Sequence, residues 1–167
     1  EGLLGGGHGQ ARTGRALDRE ELARVMALAN EQAEWNRRTR DLIAAARPLP
    51  VEVTDSIPSV MVPQWHRGSE WAVHAAKRLH DEVAERIDKG VAVCPDERRR
   101  LMWIGRGLWS DLDMYRSFQE DFGAVFVWSM YLALGADGYL RYGDDPIRAL
   151  AARFVGLTDL LYVPPMS

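Results

Sequence analysis

Cysteine is nearly absent from this sequence: Cys94 stands alone among 167 residues. A lone cysteine excludes an internal disulfide framework. It also cannot hold an iron–sulfur cluster, which takes three or four thiolates. On local grounds Cys94 reads as a small buried hydrophobe near the start of a strand. Charge of one sign is also lacking. The formal net charge is -3, so there is no general pull toward nucleic acid or an anionic membrane, and neither is expected as a partner. No apolar run approaches the length needed to span a bilayer. The opening EGLLGGGHG has no basic n-region and no long apolar stretch, so a secretory leader is not expected and a cytoplasmic location is the default. Its glycines predict a flexible start over residues 1–17. His8 lies alone in that run, whereas a metal site needs several ligands. His74 and His80 are six residues apart, not the four of a helical zinc pair, and read as flank or surface histidines.

Hydrophobic residues make up 47% of the chain and charged residues 27%, an ordinary globular balance for one domain with a helical appendage. A first helix is expected from Asp18 to Arg47, opened by Asp18 with Glu21 three residues on and stopped by Pro48 and Pro50. Its middle, EWNRRTRD, reads as solvated. TDSIPSVMVPQWHRGSE follows, and Pro58 and Pro63 are expected to break it into short turns or loop. With Trp65, His66, Arg67 and Gly68 this loop reads either as a ligand lip or as a capping loop whose tryptophan plugs the core. A second long helix is expected from Ser69 to Lys89, burying the row Trp71, Ala75, Leu79, Val83 and Ile87 and closing at Gly90.

From Cys94 onward the pattern changes. LMWIG reads as a strand buried on both faces. A helix capped by Ser110, with Asp113 in the capping-box position, then runs to Gly123, and AVFVWSMY reads as a second strand. Asp145 and Pro146 open a helix that Gly156 is expected to end, and LLYV reads as a third strand. The expected fold class is therefore α/β, a Rossmann-like parallel lobe over 94–167 preceded by a helical linker region over 18–93. Three strands make a thin sheet, so either the helical half covers it or the lobe is incomplete and part of a longer subunit, the reading favoured here.

RLMWIGRGLWSDLDMY carries the nearest approach to a nucleotide motif. A dinucleotide turn wants three glycines, but Gly105 and Gly107 are followed by Ser110, and Leu108 and Trp109 fill the phosphate approach. No Walker lysine follows. Trp109 reads as an aromatic wall at the carboxyl end of a parallel strand, or as packing between helix and sheet. The acids Asp111, Asp113, Glu120 and Asp121 are explained as caps and surface. A nucleotide-dependent Rossmann oxidoreductase stays open as an alternative.

TGRALDREELARVMALAN, HRGSEWAVHAAKRLHDEVAERIDKG, RRRLMWIGRGLWSDLDMYRSFQEDFGAVFVWSMY and DDPIRALAARF, in this order, resemble subunits of the 2-hydroxyacyl-CoA dehydratase and benzoyl-CoA reductase family, over most of residues 13 to 167. The resemblance implies two Rossmann-like lobes joined by helices. It implies a CoA thioester substrate, a second homologous subunit and an ATP-dependent activator protein. It also implies a 4Fe–4S cluster that drives ketyl radical chemistry toward dehydration or ring reduction. The ligands of that cluster are not present in this chain. Carried over residue by residue, the resemblance places Gly105, Arg106, Gly107, Leu108 and Trp109 against the substrate, with Trp65, His66, Arg67 and Gly68 on the second substrate-facing segment. It gives Trp109 the acyl group, His66 the part of polar partner or proton donor, and Arg67 a CoA phosphate or a backbone carbonyl. A non-catalytic acyl-CoA-binding or assembly subunit of the same family is the alternative.

Overall fold

The computed structural model describes residues 14–105, 108, 110–136 and 141–162, with 130, 131, 134 and 156–162 described by backbone alone. The expectations for residues 1–13 with His8, for Arg106, Gly107 and Trp109, and for 163–167 lie outside the described residues.

Helix α1 (Arg19–Ala45) starts at Asp18, whose carboxylate accepts the backbone N–H of Glu20 and Glu21, both at 3.0 Å. It stops short of Pro48. Its middle is not wholly solvated. Asn36 and Thr39 are buried because that side faces other backbone rather than water. Asn36 donates to the Gly135 carbonyl at 3.2 Å, and Thr39 donates to the Trp35 carbonyl at 2.9 Å. Buried polar groups persist where they find such partners.

The segment expected as broken turns is one helix, α2 (Val53–Trp65), with Pro58 and Pro63 inside it. Each proline removes a helical hydrogen bond, at a cost of about 3 kcal/mol. Burial offsets this. Val53, Ile57 and Val60 recur at helical spacing and are almost fully buried, and each side chain so placed is worth about 1.5–3 kcal/mol. Helix α3 (Glu70–Asp88) begins as its sequence predicts, with the Ser69 hydroxyl accepting Ala72 N–H at 3.2 Å, and Gly90 adopts φ +66° beyond its end. Of the expected row only Trp71 is exposed: Val83 is buried, Leu79 and Ile87 pack partly buried against the core, and Ala72, Val73 and Ala76 add to the buried side.

The sheet is small. Strand β1 (Arg99–Trp103) pairs in parallel with β2 (Ala124–Ser129), across helix α4 (Asp113–Phe122), with a register shift between Leu101 and Met102. Ser110 does not cap α4. Its N-cap is Leu112, and the Asp111 carboxylate accepts Met114 N–H at 3.2 Å instead. β1 is not buried on both faces: Met102 is exposed, and Ile104 just beyond the strand is 78% exposed. The expected end of the second strand, Met130 and Tyr131, opens helix α5 (Met130–Ala136). Helix α6 (Pro146–Tyr162) is capped by Asp145 as expected but runs through Gly156, so the residues expected to begin a third strand are helical. The architecture is mixed α/β with a parallel two-stranded sheet among the described residues.

One core runs through helices and sheet, joining Ile43, Leu49, Ile57, Val60 and Val83 to Tyr115, Val125, Trp128 and Leu132. Arg100 ties the two together: its guanidinium donates to the carbonyls of Ile43, Ala44 and Ala46 at 2.8–3.2 Å, capping the end of α1.

Candidate functional site

The turn at 65–68 is fixed from two sides. Trp65 ends α2 and His66 is its C-cap, while the Ser69 hydroxyl donates to the His66 carbonyl at 2.7 Å. Gly68 is buried at φ +83°, and a Cβ there would meet Val25 Cγ1 at 2.4 Å. Only glycine lets this turn lie on α1. The result displays the side chains before it: Trp65 is 75% exposed, and the exposed His66 ring stands edge-on to Trp71 at 5.0 Å. Trp65 therefore does not plug the core.

The segment after β1 leaves the carboxyl end of a parallel strand, where α/β sheets place ligands. Gly105 has φ +149°, in the region that favours glycine. Leu108 packs partly into the core, and its N–H points to the Tyr115 hydroxyl at 3.5 Å. Tyr115 in turn stands edge-on between Trp103 and Phe126 at 5.4 and 5.3 Å. This aromatic packing anchors the loop to α4 and β2. Arg106, Gly107 and Trp109 lie outside the described residues. Among the described residues no hydrogen bond, ion pair or ring contact joins Gly105 or Leu108 to the 65–68 turn.

A different set of side chains does converge. Two adjoining cavities open beside α1, one of about 540 Å³ and one of about 230 Å³, and Arg141 lines both. Asn30 of α1 holds the Arg141 backbone from both sides, accepting its N–H at 2.8 Å and donating to its carbonyl at 3.0 Å. The larger cavity adds Trp35, Tyr142, Glu31 and Glu34. Trp35 stands edge-on to His80 at 5.2 Å, with Arg38 over its ring at 4.8 Å. In the smaller cavity Arg141 meets Arg67, from the 65–68 turn, and Arg153, from α6. Burial, then the positive charges of Arg153 and Arg67, pull the Arg141 guanidinium down to about 10. Burial, then Arg67, lowers Arg153 as well. Arg67, one of the expected site residues, thus lines the smaller cavity. Arg141 and Arg153 escaped the sequence reading. The usable signal was Arg153 itself, a charge four residues after the buried Ala149 on the inner side of α6.

Among the described residues no group of three or more histidines, cysteines or acids is placed to hold a metal ion. Cys94 is buried with its sulfur 3.9 Å from the Gln119 carbonyl, the small hydrophobe expected. The residues present do not fit an iron–sulfur cluster, because one thiolate is too few. No described helix is long and apolar enough to cross a membrane.

Fold and cavities together define a mixed α/β protein with a small parallel sheet and two adjoining cavities beside α1. The model of the family described as 2-hydroxyglutaryl-CoA dehydratase, D-component, matches residues 10–164, and the chain belongs to that family. No curated protein and no solved structure shows a significant match to it.

Proposed function

We propose that this chain is the thioester-holding part of a 2-hydroxyacyl-CoA dehydratase component, and the family match over residues 10–164 carries the reading. In it, β1, α4 and β2 form the first unit of a Rossmann-like lobe. Gly105, Arg106, Gly107, Leu108 and Trp109 wall the acyl group. Trp65, His66, Arg67 and Gly68 form the second substrate-facing segment. Support comes from the place of the first segment at the carboxyl end of a parallel strand. The exposed ring of Trp65 further favours a surface that a ligand or partner subunit covers.

The chain's own chemistry in this reading is binding, exclusion of water and proton delivery. His66 gives a proton to the departing hydroxyl, which leaves C2 as water while C3 loses a proton, so that a C2–C3 double bond forms. Any one-electron step belongs to a cluster whose thiolates come from outside these residues, in an assembly with a second homologous subunit and an ATP-dependent activator. A second reading, an acyl-CoA-binding or assembly component with no cluster of its own, is favoured by the single cysteine.

The test is the anaerobically purified complex, assayed for iron and for dehydration of a 2-hydroxyacyl-CoA. His66→Asn is expected to lower kcat by about a hundredfold or more, the usual share of a general acid, with KM little changed. An iron-free complex that binds the thioester without turnover would establish the second reading. A chain whose melting temperature responds to NAD(P) and not to CoA thioesters would sink both.

A further inference from the structure

Arginine stays protonated at neutral pH, and clustered or buried guanidiniums call for an anion. Arg67, Arg141 and Arg153 line one cavity of about 230 Å³, reaching it from a turn, a loop and a helix. Arg153 is only 6% exposed, and its Nε has no hydrogen-bond partner. No acid lines this cavity among the described residues. The acids near Arg141, including Glu34, line the larger neighbouring cavity, and Glu34 is engaged by Arg37 and Arg38. A protein does not gather uncompensated positive charge in a partly dry place without a counter-charge that arrives from elsewhere. The remaining walls are Leu22, Val25, Met26, Ala29, Leu150 and Phe154. Apolar walls around a planar donor fork suit a carboxylate on a hydrocarbon stem, which guanidinium binds through two parallel hydrogen bonds. A bare inorganic anion would waste the walls, and a nucleotide would overfill the cavity.

We propose that the Arg67, Arg141 and Arg153 cavity is a binding site for a carboxylate carried on a short aliphatic chain. The carboxylate is either a free acid or the far end of an acyl thioester. The site stands on its own lining and does not depend on the thioester reading given above.

The test uses the whole chain, with calorimetry and thermal melting against hexanoate, hexanamide, inorganic phosphate and an adipoyl thioester of N-acetylcysteamine. Hexanoate is expected to bind and raise the melting temperature, and neutral hexanamide to do neither. Arg67→Gln and Arg153→Met are each expected to weaken hexanoate by about tenfold or more, the scale of one charged hydrogen bond. Without ligand, Arg153→Met is expected to melt at or above the parent, since it removes an uncompensated buried charge. Should that variant fail to fold, the exposed Arg67→Gln carries the test alone. Tighter binding of the adipoyl thioester identifies the carboxylate as an acyl end, and tighter binding of hexanoate identifies a free acid; each supports the site. No binding of either carboxylate, binding unchanged in the variants, or phosphate tighter than both would overturn it.

Discussion

Gly68 shows how much one residue decides. Its φ of +83° and the 2.4 Å that would separate an added Cβ from Val25 Cγ1 make two independent objections to any side chain. Backbone strain and overpacking each cost about 1–3 kcal/mol, so Gly68→Ala is expected to lose about 2–4 kcal/mol. A urea midpoint measures it, and pairing the change with Val25→Ala is expected to recover only the packing part. A midpoint that does not move would rule out the close approach of this turn to α1. Arg100 is the second such residue. Arg100 Nε lies 3.1 Å from Glu97 Oε1, within ion-pair range, yet makes no well-directed hydrogen bond there. The distance establishes the charge pairing, while the directed bonds of the guanidinium go to the end of α1. The Glu97 side chain is mostly covered and accepts Leu49 N–H at 2.7 Å. Arg100→Leu therefore strands both a carboxylate and three carbonyls, for an expected loss of about 3 kcal/mol. Adding Glu97→Gln is expected to restore part of it, and no restoration would mean the pair contributes nothing.

At the scale of elements, α2 is a helix made by its surroundings. Two prolines argue against it locally, and the buried row through Ile57 and Val60 argues for it in context. A peptide of residues 53–65 is expected to show no helix by circular dichroism, since short helices are marginal in water even without proline. In the intact chain Ile57→Ala is expected to cost about 2–4 kcal/mol, the range for emptying a buried isoleucine. A helical isolated peptide would show that propensity, not packing, builds the element. The same logic governs α6. Gly156 is a reasonable stop for a helix read alone, yet the helix continues to Tyr162. A glycine inside a helix costs only about 1 kcal/mol, which contacts elsewhere along α6 can offset. Caps were more legible than ends. Asp18, Ser69 and Asp145 each accept the backbone N–H groups their positions promise, because an N-cap acts within three residues.

For the whole molecule, the pH response follows from its carboxylates. The N–H of Ile147, the largest influence, and that of Arg148 hold the Asp145 carboxyl below its usual range. Arg24 does the same for Glu21 and Lys89 for Glu85. A carboxyl lowered in the folded state favours folding above its unfolded value and loses that advantage as pH falls through the folded one. Stability is therefore expected to be level from pH 7 to about 5 and to fall below about pH 4, the region where free carboxyls titrate. All three groups are at the surface, so the decline should be gradual and weaker at high salt. Thermal melts across pH 3 to 7 read it, and a melting temperature that rises on acidification would contradict the assigned direction.

The sequence by itself determined the long helices α1 and α3, the strand–helix–strand passage from Arg99 to Ser129, and membership of the dehydratase family. Each of these is written in signals that act over one or two turns, or in the order of such signals along the chain. Only the tertiary structure decided that Asn36 and Thr39 face inward, that α2 survives its prolines, that the chain stays helical from Gly156 to Tyr162, and that Arg67, Arg141 and Arg153 line one cavity. These outcomes depend on what lies across the gap. Asn36 needs the Gly135 carbonyl from another helix, and a cluster of arginines needs a turn, a loop and a helix brought to one place. Spacing along the chain does not encode that convergence; packing around a shared core does.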